Sequence, residues 1–343
     1  MNKIELFYAP YTISFNKPFT NSNGNFNERN GFIVKLESSS GKIGIGDSAP
    51  FPEFGSETYE EDENFLNNFN IKLNLDLNNI EQSIEENLNP LASLPCLKHG
   101  FEQALLSLVC NEKGISINEL LNVQSKKKIN VNAVLGFLSP KETVDAALKK
   151  IEAGYKTIKI KIGRDNFDED YKCVEAVRKS CGDEINLRAD VNGKWDLGQA
   201  VKNIQALEEF NLEYIEQPVN TLNDFVELSK KVKTPLAVDE SIRNTADAEK
   251  FISSKAASVL VLKPMMLGGI IPTIKIIKMA EQAGIKSVIT TSFESVIGRA
   301  SSVFAASLIK EDTAHGLDID IYFEKDLFSN PYPVIYGKIL LGN

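Results

Sequence analysis

Five charged residues recur at near-equal intervals through the second half of the chain. Lys161, Asp190, Glu216, Asp239 and Lys263 are spaced 29, 26, 23 and 24 residues apart. Each closes a short, apolar, β-branched run, where a buried strand would not ordinarily carry a charge. Three converging carboxylates do not stay ionised together without a cation. An all-oxygen donor set with room for water suits Mg²⁺, with Mn²⁺ as a substitute, better than zinc or copper. A cation held against a substrate carboxylate stabilises the charge that builds when a proton leaves the adjoining carbon. The base for that step has to be an amine poised below the usual lysine range. A second amine at Lys159, two residues from Lys161, together with the cation, would lower it.

The elements that position these residues follow from alternation. In Thr157-Ile-Lys-Ile-Lys-Ile the isoleucines face one side and Lys159 and Lys161 the other; Asp190 and Asn192 are likewise two apart. Eight strand candidates recur: 131–135, 157–162, 185–191, 214–216, 236–239, 258–262, 287–291 and 316–321. Amphipathic stretches such as 143–153, 171–180, 198–210 and 270–283 separate them. Repeated strand–helix–strand units imply a parallel sheet with right-handed crossovers. Eight units point to an α/β fold of the (β/α)8, TIM-like barrel type, with an open doubly wound sheet as the alternative. In a barrel the chemistry lies at the C-terminal ends of the strands. Strands two and six are opposite each other, so Lys161 and Lys263 would confront one another across the mouth, with the three acids along one wall.

The first part of the chain reads differently. Residues 3–9 alternate as a strand, 31–37 and 42–46 as a hairpin, and 101–109 as a buried helix. The predicted division is an α+β capping domain over 1–125, with a C-terminal return of 322–343, and a catalytic barrel over 126–321. Gly41, Gly44 and Gly46 do not fit a nucleotide-binding glycine pattern and read as a turn and a close-packed strand. The chain of 343 residues carries 38 basic and 47 acidic residues, net −9, which disfavours nucleic acid. No apolar run is long enough to span a membrane, and the first residues lack the apolar core of a signal peptide. Two histidines and four cysteines without a CxxC pair exclude a histidine-rich zinc centre and predict reduced, mostly buried thiols in a cytoplasmic protein.

The segments Lys159-Ile-Lys161, Asp190-Val-Asn192, Tyr214-Ile-Glu216-Gln-Pro218, Val238-Asp239-Glu240-Ser241 and Leu262-Lys263-Pro264 resemble the muconate-lactonizing-enzyme subgroup of the enolase superfamily. That superfamily pairs an amine or imidazole base with Mg²⁺. The resemblance implies that Asp190, Glu216 and Asp239 bind Mg²⁺, that Lys161 and Lys263 are acid/base lysines on opposite substrate faces, that Lys159 tunes Lys161, and that Asn192 and Glu240 support the site. Within the subgroup the chain is most similar to the o-succinylbenzoate synthases. Lys17-Pro-Phe-Thr with Asn27-Glu-Arg29 resembles their first strands and mobile capping loop, and residues 46–58 resemble a second specificity loop, with Asp47 where glutamate is expected. Thr291-Ser292-Phe-Glu294-Ser295 resembles the seventh strand. Arg188 matches an arginine preceding the first metal ligand. The implied reaction is a syn dehydration of a succinyl-hydroxycyclohexadiene carboxylate in menaquinone synthesis. Ser292, Arg29 and the backbone near Gly316 are candidates for holding the succinyl group.

Two alternatives remain. A dipeptide epimerase or N-acyl amino acid racemase would use the same two lysines. Epimerases of dipeptides carry Asp-x-Asp on the eighth strand. Aligned on Leu-Asp, the first acid of that motif falls on Gly316, so Asp318 and Asp320 are expected to cap the strand end. A non-catalytic metal-binding barrel would be expected to have lost a lysine or an acid, and none is missing.

Overall fold

The computed structural model describes residues 4–21, 24–70 and 72–342. The side chains of 18–21, 24 and 25, and with them most of the Lys17-Pro-Phe-Thr segment, lie outside that description. The chain opens with an antiparallel sheet of β1 (Ile4–Asn21), β2 (Gly24–Ser38) and β3 (Ile43–Ser48). The expected hairpin is the β2–β3 pair. The first strand is longer than alternation suggests, because its pairing with β2 resumes beyond an irregularity between Ser14 and Phe19. Helices α1 (Tyr59–Asn67), α2 (Ile80–Asn87), α3 (Pro95–Lys113) and α4 (Ile117–Leu120) follow. Phe101, Leu105 and Leu108 of α3 are buried in one cluster with Val34 and Leu36 of β2. A Cβ at Gly44 or Gly46 would meet the Ala104 or Gly100 carbonyl oxygen at 1.9 Å. Both glycines therefore serve the close approach of β3 to α3.

Strand–helix alternation begins at β4 (Lys128–Val131) and β5 (Ala133–Leu135). It runs through α5 (Pro140–Glu152), β6 (Thr157–Lys161), α6 (Phe167–Cys181), β7 (Asn186–Asp190), α7 (Leu197–Leu207), β8 (Tyr214–Glu216), α8 (Leu222–Ser229), β9 (Leu236–Val238), α9 (Thr245–Ser254), β10 (Val259–Leu262), α10 (Ile270–Gln282), β11 (Lys286–Ile289), α11 (Val296–Ser307), β12 (Ala314–His315) and β13 (Lys338–Leu340). Strands β5 to β11 form one parallel sheet in sequence order. It closes through β12, which bridges to β11 at Gly316 and Thr290 and pairs in parallel with β4, the strand that leads into β5. The result is a TIM-like barrel with a separate capping sheet and helices. Ile158, Ile160 and Ile162 are buried with Val174 and Val177 of α6 in the large cluster around the barrel, while Tyr214, Ala237, Val259, Val261 and Val288 form a second cluster of their own.

The eighth strand departs from expectation. Ala314–His315 and the Gly316 bridge form it, and Asp320–Tyr322 is a short 3-10 turn instead of strand. The two acids are drawn away from a ladder: Asp318 accepts from the Tyr155 hydroxyl at 2.6 Å and from Lys150, and Asp320 pairs with Arg299. The C-terminal return touches the cap first, where Phe323 bridges Phe15 and joins a cluster with Ile13 and Ile319. It ends on the barrel, where β13 pairs with β4. Among the described residues no helix is long and apolar enough to cross a membrane.

Candidate active site

The registers of the parallel ladders bring the spaced charges together. Lys161 is level with Asp190, and Asp190 with Glu216. Their side chains meet at the C-terminal ends of the strands, around a cavity of about 190 Å³. Lys159, Lys161, Asp190, Asn192, Asp239, Glu240 and Lys263 all line it, so the two lysines expected to confront each other, on β6 and just after β10, share one chamber. Glu216 is fully buried and lies behind Lys159.

Polar contacts knit the wall. The Lys159 ammonium donates to Glu216 Oε1 at 2.6 Å and lies 2.9 Å from Asp190 Oδ2. Lys161 donates to Asp190 Oδ2 at 2.7 Å and to Asn192 Oδ1 at 2.6 Å. Asn192 in turn donates to Glu240 Oε1 at 2.8 Å, and Lys263 pairs with Asp239. Burial alone would lower Lys159, but Asp190 and Glu216 outweigh it and hold the ammonium well above its usual value. Burial would lower Lys263 too; Asp239 and Glu240 hold it up. Asp190 is lowered: burial raises it, and Lys159 and Lys161 win. Burial and the adjacent Asp190 push Glu216 up to about 8, against the pull of Lys159. Burial followed by Asp239 raises Glu240.

This balance bears on a cation. Among the described residues Asp190, Glu216, Asp239 and Glu240 face three ammoniums, and Glu216 Oε2 and Glu240 Oε2 are buried without hydrogen-bond partners. An oxygen-only, electron-rich wall with orphaned acceptors fits a hard divalent ion. Among the described residues no three acids, histidines or cysteines stand close enough as placed to hold one. The ammoniums of Lys159, Lys161 and Lys263 lie on Asp190, Glu216 and Asp239.

The loops at this end store backbone strain. Asn192, Gln217 and Phe293 have φ of +49°, +41° and +61°, a conformation that Asn tolerates and that is costly for Gln and Phe. Gln217 repays its cost as a brace: its Oε1 accepts from the Asp239 N–H at 2.9 Å, and its Nε2 donates to Ser241 Oγ at 2.6 Å.

The other expected residues divide between the cavity and its surroundings. Gly316 lines the cavity, where a Cβ would meet Thr290 Oγ1 at 2.6 Å. Arg188 is buried one layer deeper in the barrel and is spent on Glu213, Asn132, Thr313 and the Ala314 carbonyl. Arg29 donates to the Ala49, Pro50 and Phe293 carbonyls and lies 4.1 Å over the Phe51 ring, tying the cap to the seventh-strand loop. Ser292 donates twice to Glu294, which also accepts from Ser302; all three are buried. None of Arg188, Arg29, Ser292 and Glu294 lines the cavity. Asp318 does, although expected only to cap a strand end. Spacing also passed over Phe54 and Arg243, which reach the cavity from separate loops. His99 and His315 are buried beside backbone groups, and burial lowers them to about 4 and about 3. The four cysteines are free; Cys96 and Cys173 are buried, and Cys110 and Cys181 half-buried.

Comparison with known proteins agrees with this architecture. Residues 142–342 match the family described as "Enolase C-terminal domain-like", and residues 1–108 match "MenC, N-terminal domain". The chain is similar to an N-succinyl-L-Arg/Lys racemase of Bacillus cereus, 27% identical over 94% of this chain and 88% of that one. The solved structure of the Bacillus cereus N-succinyl Arg/Lys racemase superposes with a TM-score of 0.90 at 26% identity, covering 100% and 93% of the two chains. An o-succinylbenzoate synthase of Thermobifida fusca is 35% identical over 57% of this chain and 62% of its own. A dipeptide epimerase of Enterococcus faecalis, solved with Mg and the dipeptide L-Leu-L-Tyr, gives a TM-score of 0.87 at 26% identity, covering 100% and 98%. The chain belongs to the enolase superfamily, within its muconate-lactonizing-enzyme subgroup.

Proposed function

We propose that this protein is a cytoplasmic o-succinylbenzoate synthase, a carbon–oxygen lyase of menaquinone biosynthesis that dehydrates 2-succinyl-6-hydroxy-2,4-cyclohexadiene-1-carboxylate to 2-succinylbenzoate. The observation that carries the reading is the MenC-type capping domain over residues 1–108, set on a barrel whose cavity holds both lysines. The similarity to the Thermobifida synthase supports it.

In this reading Asp190, Glu216 and Asp239 would hold Mg²⁺, whose positive charge would offset the negative charge that develops on the substrate carboxylate. Lys161 would take the proton of the adjoining carbon in its free-amine form, the form the step requires. Its contacts to Asp190 and Asn192 orient Nζ at the wall of the cavity. The electron pair moves into the ring, the C–O bond on the same face breaks, and Lys161 returns the proton so that the hydroxyl leaves as water. Lys263, held cationic by Asp239 and Glu240, faces the delocalised anion from the other side. The ring becomes aromatic, so the first proton transfer is the demanding step.

A second reading has its own support. The relatives that span most of this chain are racemases and epimerases, and Asp318 lines the cavity. Racemisation of N-succinyl amino acids would use Lys161 and Lys263 alternately. Turnover of the cyclohexadiene substrate with Mg²⁺, read as appearance of 2-succinylbenzoate, tests the first reading. Its absence, with exchange of the α-proton of N-succinyl amino acids for solvent deuterium, would favour the second.

A further inference from the structure

The lysines of the cavity are all in ion pairs: Lys159 with Asp190 and Glu216, Lys161 with Asp190, and Lys263 with Asp239. Arg243 is different. It follows β9 by a short loop, lines the cavity and is exposed. Among the described residues its guanidinium has no hydrogen bond and no acid partner; only its backbone N–H is engaged, with Asp247.

That guanidinium lies beside the cap. Its central carbon lies 3.7 Å from where a Cβ on Gly55 would stand, and Gly55 has φ +92°. A glycine there allows the loop to turn and leaves the guanidinium face uncovered. The preceding residue, Phe54, stacks on Phe51 with ring centroids 4.3 Å apart and lies 5.8 Å from the Lys263 ammonium. Two consecutive cap residues thus reach from the lysine at the inner end to the arginine at the rim. The inner end has the acids and amines for one carboxylate and its neighbouring carbon, the apolar step of Phe54 suits a ring or short chain, and the outer end has one uncompensated planar cation.

We infer that Arg243 is a specificity residue that grips the distal carboxylate of a dicarboxylate substrate, through the bidentate geometry that guanidinium and carboxylate share. The inference rests on the proposed function for the inner carboxylate and goes beyond it in assigning the outer one. It excludes monocarboxylates and neutral-ended dipeptides as the preferred class.

The experiment is equilibrium binding, by calorimetry with Mg²⁺ present, of 2-succinylbenzoate and of 2-butanoylbenzoate, which carries a methyl group in place of the terminal carboxylate. The wild-type chain is expected to prefer the dicarboxylate by about 10- to 100-fold, the range for a hydrogen bond to a charged group. Arg243→Gln removes the preference and leaves 2-butanoylbenzoate binding unchanged; Arg243→Lys restores part of it. Equal weakening of both ligands in Arg243→Gln would mean that the arginine only props the cap loop, and overturns the inference. So does a preference that survives the substitution, or its absence in the wild-type chain. A dicarboxylate preference that depends on Arg243, in a chain that does not dehydrate the cyclohexadiene, would uphold the inference and remove the dehydratase reading instead.

Discussion

Asp47 of the capping domain accepts hydrogen bonds from both the backbone N–H and the hydroxyl of Ser295, at 2.9 and 2.7 Å, where the barrel's last long helix begins. The Tyr11 hydroxyl donates to its other oxygen at 2.8 Å. One buried carboxylate therefore latches cap to barrel, three residues after Ser292. Burial, only partly offset by those donors, pushes Asp47 up to about 6. Because the folded chain holds this proton more tightly than the unfolded one, Asp47 contributes stability that is full below about pH 4, is lost as pH rises to about 6, and is level above. The span corresponds to roughly 3 kcal/mol. Urea unfolding at several pH values is expected to show a shallower fall from pH 4 to 6 in Asp47→Asn than in the wild-type chain; parallel curves would contradict the assignment.

A second link from cap to barrel is Glu102. Helix α10 starts at Gly269, which offers no capping side chain. Glu102 of α3 takes that role, accepting from the Ile270 and Ile271 N–H groups. Glu102→Ala should destabilise the protein by about 1–2 kcal/mol, the usual cost of a lost helix cap. The difference in urea midpoint at constant slope measures it.

Removing the metal should silence the enzyme. Treatment with a chelator is expected to abolish turnover and Mg²⁺ to restore it, with Mn²⁺ as a substitute. Glu216→Gln should raise the Mg²⁺ concentration needed for half-maximal activity. It should also diminish the Mg²⁺-induced rise in melting temperature, a readout independent of catalysis.

The lysines should separate by role. Lys161→Ala is expected to lower kcat by about 10²–10⁴-fold, the usual contribution of a positioned acid–base group. Lys263→Ala should also lower kcat, yet leave slow proton exchange by Lys161 detectable when substrate is incubated in deuterated water. Equal loss of exchange in both variants would contradict the division.

The parts of the site set by strand period are plain in the residues. Ile-Lys-Ile-Lys assigns a face from alternation alone, and charges that recur once per βα unit end up level because parallel strands are paired in sequence order. Depth is harder to read. Arg188 and Asp190 share a face, but two residues of strand separate them by roughly 6.6 Å, enough to drop the arginine out of the cavity and onto Glu213. Arg29, Ser292 and Glu294 carry polar chemistry in suggestive segments, yet their donors and acceptors are consumed by neighbouring loops. Phe54 and Arg243 lie almost two hundred residues apart and line one cavity because the cap folds onto the barrel, a relationship that no local pattern encodes. The eighth strand ends earlier than its apolar pattern predicts for a similar reason: Asp318 and Asp320 leave the ladder for partners on α5, α11 and the residue stretch before β6.

The central claim is that Lys161 removes a proton beside a carboxylate and returns it to a hydroxyl on the same face. Its most direct test is a single-turnover reaction of the cyclohexadiene substrate with the Mg²⁺-loaded protein, followed by the ultraviolet absorbance of the aromatic product. 2-Succinylbenzoate is expected in stoichiometric yield from the wild-type chain, at a rate at least about 100-fold higher than from Lys161→Ala. No aromatic product from the wild-type chain, or an undiminished rate in the variant, would contradict it.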